Sequence, residues 1–353
     1  VPPSGWLTLG EGWTPAVEAP RLAERLGLER LVLKREDLNP TGSHKARGLA
    51  FQLAVARMEL PPGSWVTISS SGNAAMAAAA YAALAQLRLA AFIAPATPPA
   101  KVASLVRLGA TVFVTPRALS MAEELAISRR IPNLRPSTHA HAVEGFQSIG
   151  WEIVETLAPV EALFTFVSSG TSFVALGRAL QRAGEVTARP WAPALHAVQG
   201  TGAQPIAGLF DRRRVSEVRG RLGALGARKT RRAGEAKRWI LATGGSGWVI
   251  TDEEAAAAGA LLADHGLETS LEGAAALAAA HRAARAGLIR TAVVLLTGRP
   301  PAPAEVPPVD GGGEHLVHVF DLHQVEAVLD EAPAPVPPPL PPLVPEDDEG
   351  RFA

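Results

Sequence analysis

The sequence predicts an α/β protein of two three-layer αβα domains with mostly parallel sheets. Short apolar runs that read as strands alternate with helical stretches, the order that gives parallel sheets covered by helices on both faces. At 353 residues the chain is long enough to bury a large core and to divide in two. Several helical stretches consist almost wholly of alanine, and small side chains on every face suit a helix pressed against a sheet.

Composition narrows the function classes. Basic and acidic residues number 34 each, so the net charge is zero and no nucleic-acid surface is expected. The absence of cysteine excludes disulfides, thiolate metal sites and cysteine nucleophiles. The longest apolar runs are interrupted by Gln, Arg or Asn well before ~18 residues, so no transmembrane helix, and a cytoplasmic protein with no membrane partner, is expected.

Residues 9–15, Leu-Gly-Glu-Gly-Trp-Thr-Pro, form a glycine-punctuated turn before a helix over 19–26 that stops at Gly27. The apolar segment Leu31–Leu33 then passes through the turn Asn39-Pro40-Thr41-Gly42 into a helix over 45–59, which Pro61-Pro62-Gly63 ends. Lys45 falls in that helix's first turn. The positive end of the helix dipole disfavours a second positive charge there, which favours the neutral amine and suits Schiff-base chemistry.

A strand over 65–68 runs into Ser69-Ser70-Ser71-Gly72-Asn73, and an alanine helix over 74–87 follows. Such a turn either offers backbone N–H groups to a ligand or merely caps the helix. Strands 89–93 and 111–114 alternate with helices 101–108 and 118–129. Over 137–150 the chain returns to a second unit, where His139 and His141 lack a third ligand, so no metal is expected. Strand 163–167 ends in Ser168-Ser169-Gly170-Thr171-Ser172 at a helix start, either an anion cradle or a plain loop. Strand 195–199 leads to the turn from Gly200 to Pro205. The basic stretch 212–239 reads as a solvated, flexible excursion. Thr251-Asp252-Glu253-Glu254 is a capping box. Glu268 and Glu272 flank the start of another small-residue helix, and strand 291–296 stops at Thr297-Gly298. Beyond residue 299 come a Pro/Gly-rich segment, a strand-like run with a short helix over 314–329, and a polyproline II tail.

The string Thr41-Gly42-Ser43-His44-Lys45-Ala46-Arg47-Gly48, followed in order by Ser70-Ser71-Gly72-Asn73-Ala74-Ala75, Ser168–Ser172 and Thr297-Gly298, resembles the pyridoxal-phosphate (PLP) dependent enzymes of fold type II, the tryptophan-synthase-like fold. Gly10-Glu11-Gly12-Trp13-Thr14-Pro15 and the segment around Glu272-Gly273-Ala274-Ala275 resemble the threonine synthase branch. The resemblance covers roughly residues 10–298. It implies a cofactor, pyridoxal 5'-phosphate, in the cleft between the domains. Lys45 is then the catalytic residue that carries it covalently, and Asn73 bonds its phenolic oxygen. Ser168, Ser169, Gly170, Thr171 and Ser172 hold its phosphate, and Thr297 meets its pyridine nitrogen. Glu272, preferred over Glu268, lies beside it. Ser70, Ser71, Gly72 and Gln147 are the implied substrate-binding residues. The domains expected are 1–40 with 141–330 as the large PLP-binding unit, 41–140 as a smaller mobile unit, and 331–353 as a Pro-rich tail.

The implied reaction converts O-phosphohomoserine to threonine and phosphate, with a small amino-acid substrate and a homodimer as the expected assembly. A neutral Thr297 does not hold the pyridine nitrogen protonated, which steers the chemistry away from transamination. The branch's substrate-phosphate arginine falls on Ala142, and its nearby lysine on Ser148. That departure favours an alternative, a threonine/serine dehydratase-like or β-replacement enzyme on a serine-type substrate. A non-catalytic PLP-fold binding protein is a third reading, hard to sustain with Lys45, Asn73 and Thr297 all present.

Overall fold

The computed structural model describes residues 5–186, 192–211, 220–224, 229–299 and 315–331. The chain begins with β1 (Ala16–Glu18), α1 (Pro20–Leu26), β2 (Arg30–Lys34) and a 3-10 turn at Glu36–Leu38, then α2 (Lys45–Glu59). Next come β3 (Trp65–Ser69), α3 (Asn73–Leu84), β4 (Arg88–Ile93), α4 (Pro99–Arg107), β5 (Thr111–Val114) and α5 (Ala118–Arg129). From there it continues through α6 (Ala142–Thr156), β6 (Ala162–Phe166), α7 (Thr171–Val186), β7 (Ala194–Gly200), α8 (Arg221–Ala224) and α9 (Ala233–Ala242). It closes with β8 (Gly247–Ile250), α10 (Asp252–Ala263), α11 (Leu271–Arg285), β9 (Thr291–Leu295), β10 (Leu316–His318) and α12 (Leu322–Glu331).

Two sheets result. The larger has the order β1-β2-β9-β6-β7-β8 and is parallel except for β1, which runs antiparallel to β2. The smaller, β10-β5-β4-β3, is parallel throughout. Both are α/β layers of the kind the alternation predicted. Buried on both faces, the central strands are runs of Val, Leu, Ala and Phe such as Leu31-Val32-Leu33 and Ala292-Val293-Val294-Leu295. The alanine helices lie where small residues are needed, with Ala274 to Ala280 of α11 all buried against β6 and β9. Local signals also appear as read: Gly27 ends α1 at φ 72°, and Thr251 and Glu254 form a reciprocal capping box. No helix among the described residues is long and apolar enough to cross a membrane.

Two expectations need correction. Residues 314–330 were assigned to the larger unit, yet β10 pairs with β5 and α12 packs on α5 through Arg129, whose guanidinium bonds Asp330 at 2.8 and 2.9 Å. The exposed edge of β5 offers unpaired backbone groups, and β10 covers it. The basic stretch is also not a free excursion along its whole length. Residues 212–219 and 225–228 lie outside the described residues, but α9 is a regular helix docked on α7. A Cβ on Gly177 would stand 2.3 Å from the Trp239 ring, so the missing side chain is what lets the indole settle there. The Pro-rich tail, 332–353, lies outside the described residues.

The contact that positions the site is between α2 and α6. A Cβ on Gly48 would meet the Phe146 ring at 2.5 Å, and one on Gly145 would meet the Arg47 carbonyl at 2.5 Å. The two helices therefore approach closely enough that only glycine fits at both points. Gly48→Ala should destabilise the fold by about 1–3 kcal/mol through overpacking, measured by urea unfolding followed by tryptophan fluorescence; an unchanged midpoint would contradict this contact.

Candidate active site

Parallel strands place their carboxyl ends along one edge, where an α/β sheet presents its ligand-binding loops. Here β2, β6 and β9 of the larger sheet and β3 of the smaller all deliver candidate residues there. The loop after β2 carries Thr41-Gly42-Ser43 to the start of α2, and a β-bridge joins Ser43 to Gly298 just past β9. His44 donates its backbone N–H to the Thr297 carbonyl at 3.1 Å, and its Nδ1 lies 2.9 Å from the same oxygen. A carbonyl oxygen only accepts, so Nδ1 carries the proton and Nε2 is the acceptor nitrogen. Lys45, the first residue of α2, stands over the Phe146 ring at 5.3 Å.

Asn73 opens α3 after the serine turn, and its Nδ2 lies 3.0 Å from where a Cβ on Gly298 would be. The amide of Asn73 and the strand end at Thr297-Gly298 are thus neighbours across the two sheets. Ser70 accepts a hydrogen bond from the Gly72 N–H at 3.2 Å, which shapes the turn. Glu272 sits in the first turn of α11, close enough to Lys45 to act on its charge, whereas Glu268 is exposed four residues earlier. Ser168 to Ser172 follow β6 and open α7. Gly170 has φ +86°, a left-handed conformation that serine would resist. Ser169 and Thr171 share a hydroxyl contact at 3.0 Å, and Thr171 donates to the Pro136 carbonyl at 3.1 Å. Gln147 is buried in α6, one residue beyond Phe146. His139 and His141 belong to no group of three or more metal-ligating side chains among the described residues.

Beneath this surface lies a cluster that sequence reasoning missed. Arg47 bonds Glu36 through Nε and Nη2, each at 2.7 Å, and grips Glu152 of α6 with Nη1 and Nη2. Lys34 Nζ reaches Glu152 at 2.7 Å and the Thr14 carbonyl at 2.5 Å. Thr14 Oγ1 donates to Glu36 at 2.6 Å, and the Trp13 N–H donates to Glu152 at 2.8 Å. The segment Gly10 to Pro15, which physical reasoning left as a loop, is the strap that satisfies these carboxylates. Its Glu11 accepts the Tyr81 hydroxyl of α3 at 2.5 Å. Burial alone would lift the Glu152 carboxyl, but the paired Arg47 and Lys34 hold it below the usual carboxylate range. Burial works against the Arg47 charge as well, and Glu152 and Glu36 outweigh it, raising its pKa. A cavity of about 520 Å³ opens on this side of α2, lined by Trp6, Trp13, Glu11, Ala54 and Glu144 among others. Its lining includes neither Lys45 nor any strand-end loop.

Burial pulls Lys45 from an ordinary 10.5 down to about 8, with Glu272 opposing it. The residue keeps part of its surface accessible, and the lowered pKa makes the neutral amine more populated than in a solvated lysine. His44 is held well below its ordinary pKa, first by burial and then by Lys45, which leaves its ring neutral beside the amine. In the cofactor-free protein, acylation of Lys45 should accelerate with pH through a midpoint near 8. Glu272→Gln removes the charge that props the value up and should move the midpoint lower. Mass-spectrometric labelling across pH reads both, and midpoints near 10, as for a solvated lysine, would contradict this electrostatic account.

Threonine synthase of Methanosarcina acetivorans is 35% identical over 157 residues, covering 43% of this chain and 38% of the relative. The chloroplastic biosynthetic threonine dehydratase 1 of Solanum lycopersicum is 33% identical over 175 residues, 48% of this chain and 28% of the relative. These alignments thus span well under half of the relatives' own length. Among solved structures, the processed form of threonine deaminase isoform 2 from Solanum lycopersicum superposes with a TM-score of 0.69 at 22% identity, over 90% of this chain and 87% of that one. That likeness establishes the fold, fold type II. The family model "Pyridoxal-phosphate dependent enzyme" matches residues 7–298, from the Gly10–Pro15 strap to the strand end at Gly298, and the chain belongs to that family.

Proposed function

We propose that this chain is a PLP-dependent lyase of the threonine synthase kind, acting on O-phosphohomoserine to give threonine and phosphate. The observation that carries the reading is the meeting of Lys45, Asn73, Glu272 and the Thr297-Gly298 strand end at one edge, in a chain similar to threonine synthases over two fifths of its length. The residues present fit the cofactor. An amine with its pKa lowered to about 8 suits the aldehyde, and a run of hydroxyls around Gly170 at the start of α7 suits the phosphate. Thr41 and Ser137, in the loops that lead to Lys45 and cover Thr171, each have a buried hydroxyl without a protein partner.

When bound, PLP supplies an electron sink for charge developing at the substrate's α-carbon. Lys45 Nζ would hold the aldehyde and, when free, would serve as the general base that moves the substrate's α-proton. Asn73 would hold the cofactor's phenolic oxygen with its amide, and Thr297 would offer a neutral hydroxyl to the pyridine nitrogen. The turn Ser70 to Gly72 would receive the substrate carboxylate on backbone N–H groups, with Gln147 as a further substrate contact. Glu272 restrains how far the amine's proton affinity falls.

A second reading has a specific observation behind it. Ala142 is fully buried at the start of α6, and Ser148 is occupied structurally, accepting from Arg47 at 3.0 Å and donating to the Gly145 carbonyl at 3.0 Å. Neither position supplies a cation for a substrate phosphate, which favours elimination from serine or threonine. Incubation with O-phosphohomoserine, threonine and serine separates the cases. Threonine with free phosphate is the expected product, a 2-oxo acid would establish the dehydratase, and no shift of the lysine-bound cofactor's absorbance with any amino acid would leave a binding protein. Lys45→Ala should reduce whichever activity is found to background.

A further inference from the structure

Arg232 has no role in this scheme, yet its surroundings ask for one. It caps α9 without making a capping bond, and its Nε is buried with no hydrogen-bond partner. The segment that carries it is fastened to the 168–172 loop. Thr230 Oγ1 donates to the Ser169 carbonyl and accepts from the Arg232 N–H at 3.2 Å. A Cβ on Gly170 would lie 3.3 Å from the Arg232 Cβ, so the arginine rises directly beside the glycine that the loop is bent around. The dock of Trp239 on Gly177 holds α9 in this register along α7.

Local charges leave the guanidinium without a counterion. Glu235, the nearest acid on α9, is taken by Arg178, which grips it at 2.8 and 3.1 Å. No ion pair is made to Arg232 among the described residues, and Glu235 and Glu144 act on it only at a distance. Burial is the first influence lowering its proton affinity, and Arg178 adds to it. On the other side of the loop, Arg135 precedes the Pro136 whose carbonyl accepts from Thr171, and Arg135 is near enough to Arg231 to be repelled by it. Cations thus gather around hydroxyls and helix-start amides, which is favourable only if an anion completes the group.

We infer that Arg232 binds the cofactor's phosphate, its guanidinium supplying the positive charge that the loop Ser168–Ser172 lacks among its own side chains. The inference rests on that loop being the phosphate seat, and the experiment keeps the two apart by comparing PLP with pyridoxal, which has no phosphate. Equilibrium binding is read by the absorbance of the lysine-bound cofactor in wild type, Arg232→Gln, Arg232→Lys and Ser172→Ala. In the wild type, PLP should bind far more tightly than pyridoxal. Arg232→Gln should weaken PLP binding about 10- to 100-fold, the worth of a charge-assisted hydrogen bond, and leave pyridoxal unchanged; Arg232→Lys should recover part of the loss. Inorganic phosphate should raise the melting temperature of the cofactor-free wild type and not of Arg232→Gln, a measurement that stands if the variant loads poorly. If Ser172→Ala weakens PLP while Arg232→Gln does not, the loop is the seat and the inference about Arg232 is wrong. If the wild type binds PLP and pyridoxal equally, the phosphate seat itself is wrong.

Discussion

The buried ion cluster of Arg47, Glu36, Glu152 and Lys34 is the constraint on which the site depends. Four charges out of water are expensive, and a buried pair contributes to stability only when its geometry and its remaining hydrogen bonds are good. Here Arg47 spans both carboxylates, Lys34 takes Glu152 and the Thr14 carbonyl, and Trp13, Thr14 and Asn39 donate to the two carboxylates as well. The arrangement specifies position more than it adds stability. Glu36 follows β2, Glu152 belongs to α6, and Arg47 lies two residues beyond Lys45, so one cluster ties the strand, the helix and Lys45 together. The glycine contact at Gly48 and Gly145 then fixes how closely α2 lies on α6.

That placement decides the chemistry of the amine. The helix dipole at the start of α2 does favour a neutral lysine, and it was the only cause visible in the sequence. In the folded chain burial comes first, with Phe146 beneath the ammonium and Glu272 limiting the shift. A value near 8 leaves the group able both to attack an aldehyde and to carry a proton near neutral pH. His44 contributes by staying neutral, anchored to the strand end where Thr297 stands.

Much of this was legible in the chain because it is local. Strand and helix order, the αL stop at Gly27, the Thr251 capping box and the loops at strand ends follow from patterns a few residues long, and the motif strings carried the family. What escaped was long-range. Nothing local to residues 316–331 says that they cross to the edge of β5. The partners of Arg47 are 11 and 105 residues away, and no pattern in a single sequence pairs them. The strap Gly10–Pro15 was recognised by resemblance, while its physical purpose needed the carboxylates it serves. Arg232 was hidden inside a run of basic residues, and what distinguishes it from its neighbours is tertiary: its buried Nε, the tie from Thr230 to Ser169 and its place beside Gly170.

The Arg47 fork sets where Lys45 stands. Arg47→Lys keeps the charge but cannot grip two carboxylates at once, so the start of α2 should shift while the fold survives. Borohydride trapping of pyridoxal phosphate on Lys45, quantified by peptide mapping in protein shown to be folded by circular dichroism, measures this directly. The account predicts that trapping slows at least ~10-fold, in keeping with the cost of a displacement near 1 Å. A folded variant that traps the cofactor at the wild-type rate would contradict it.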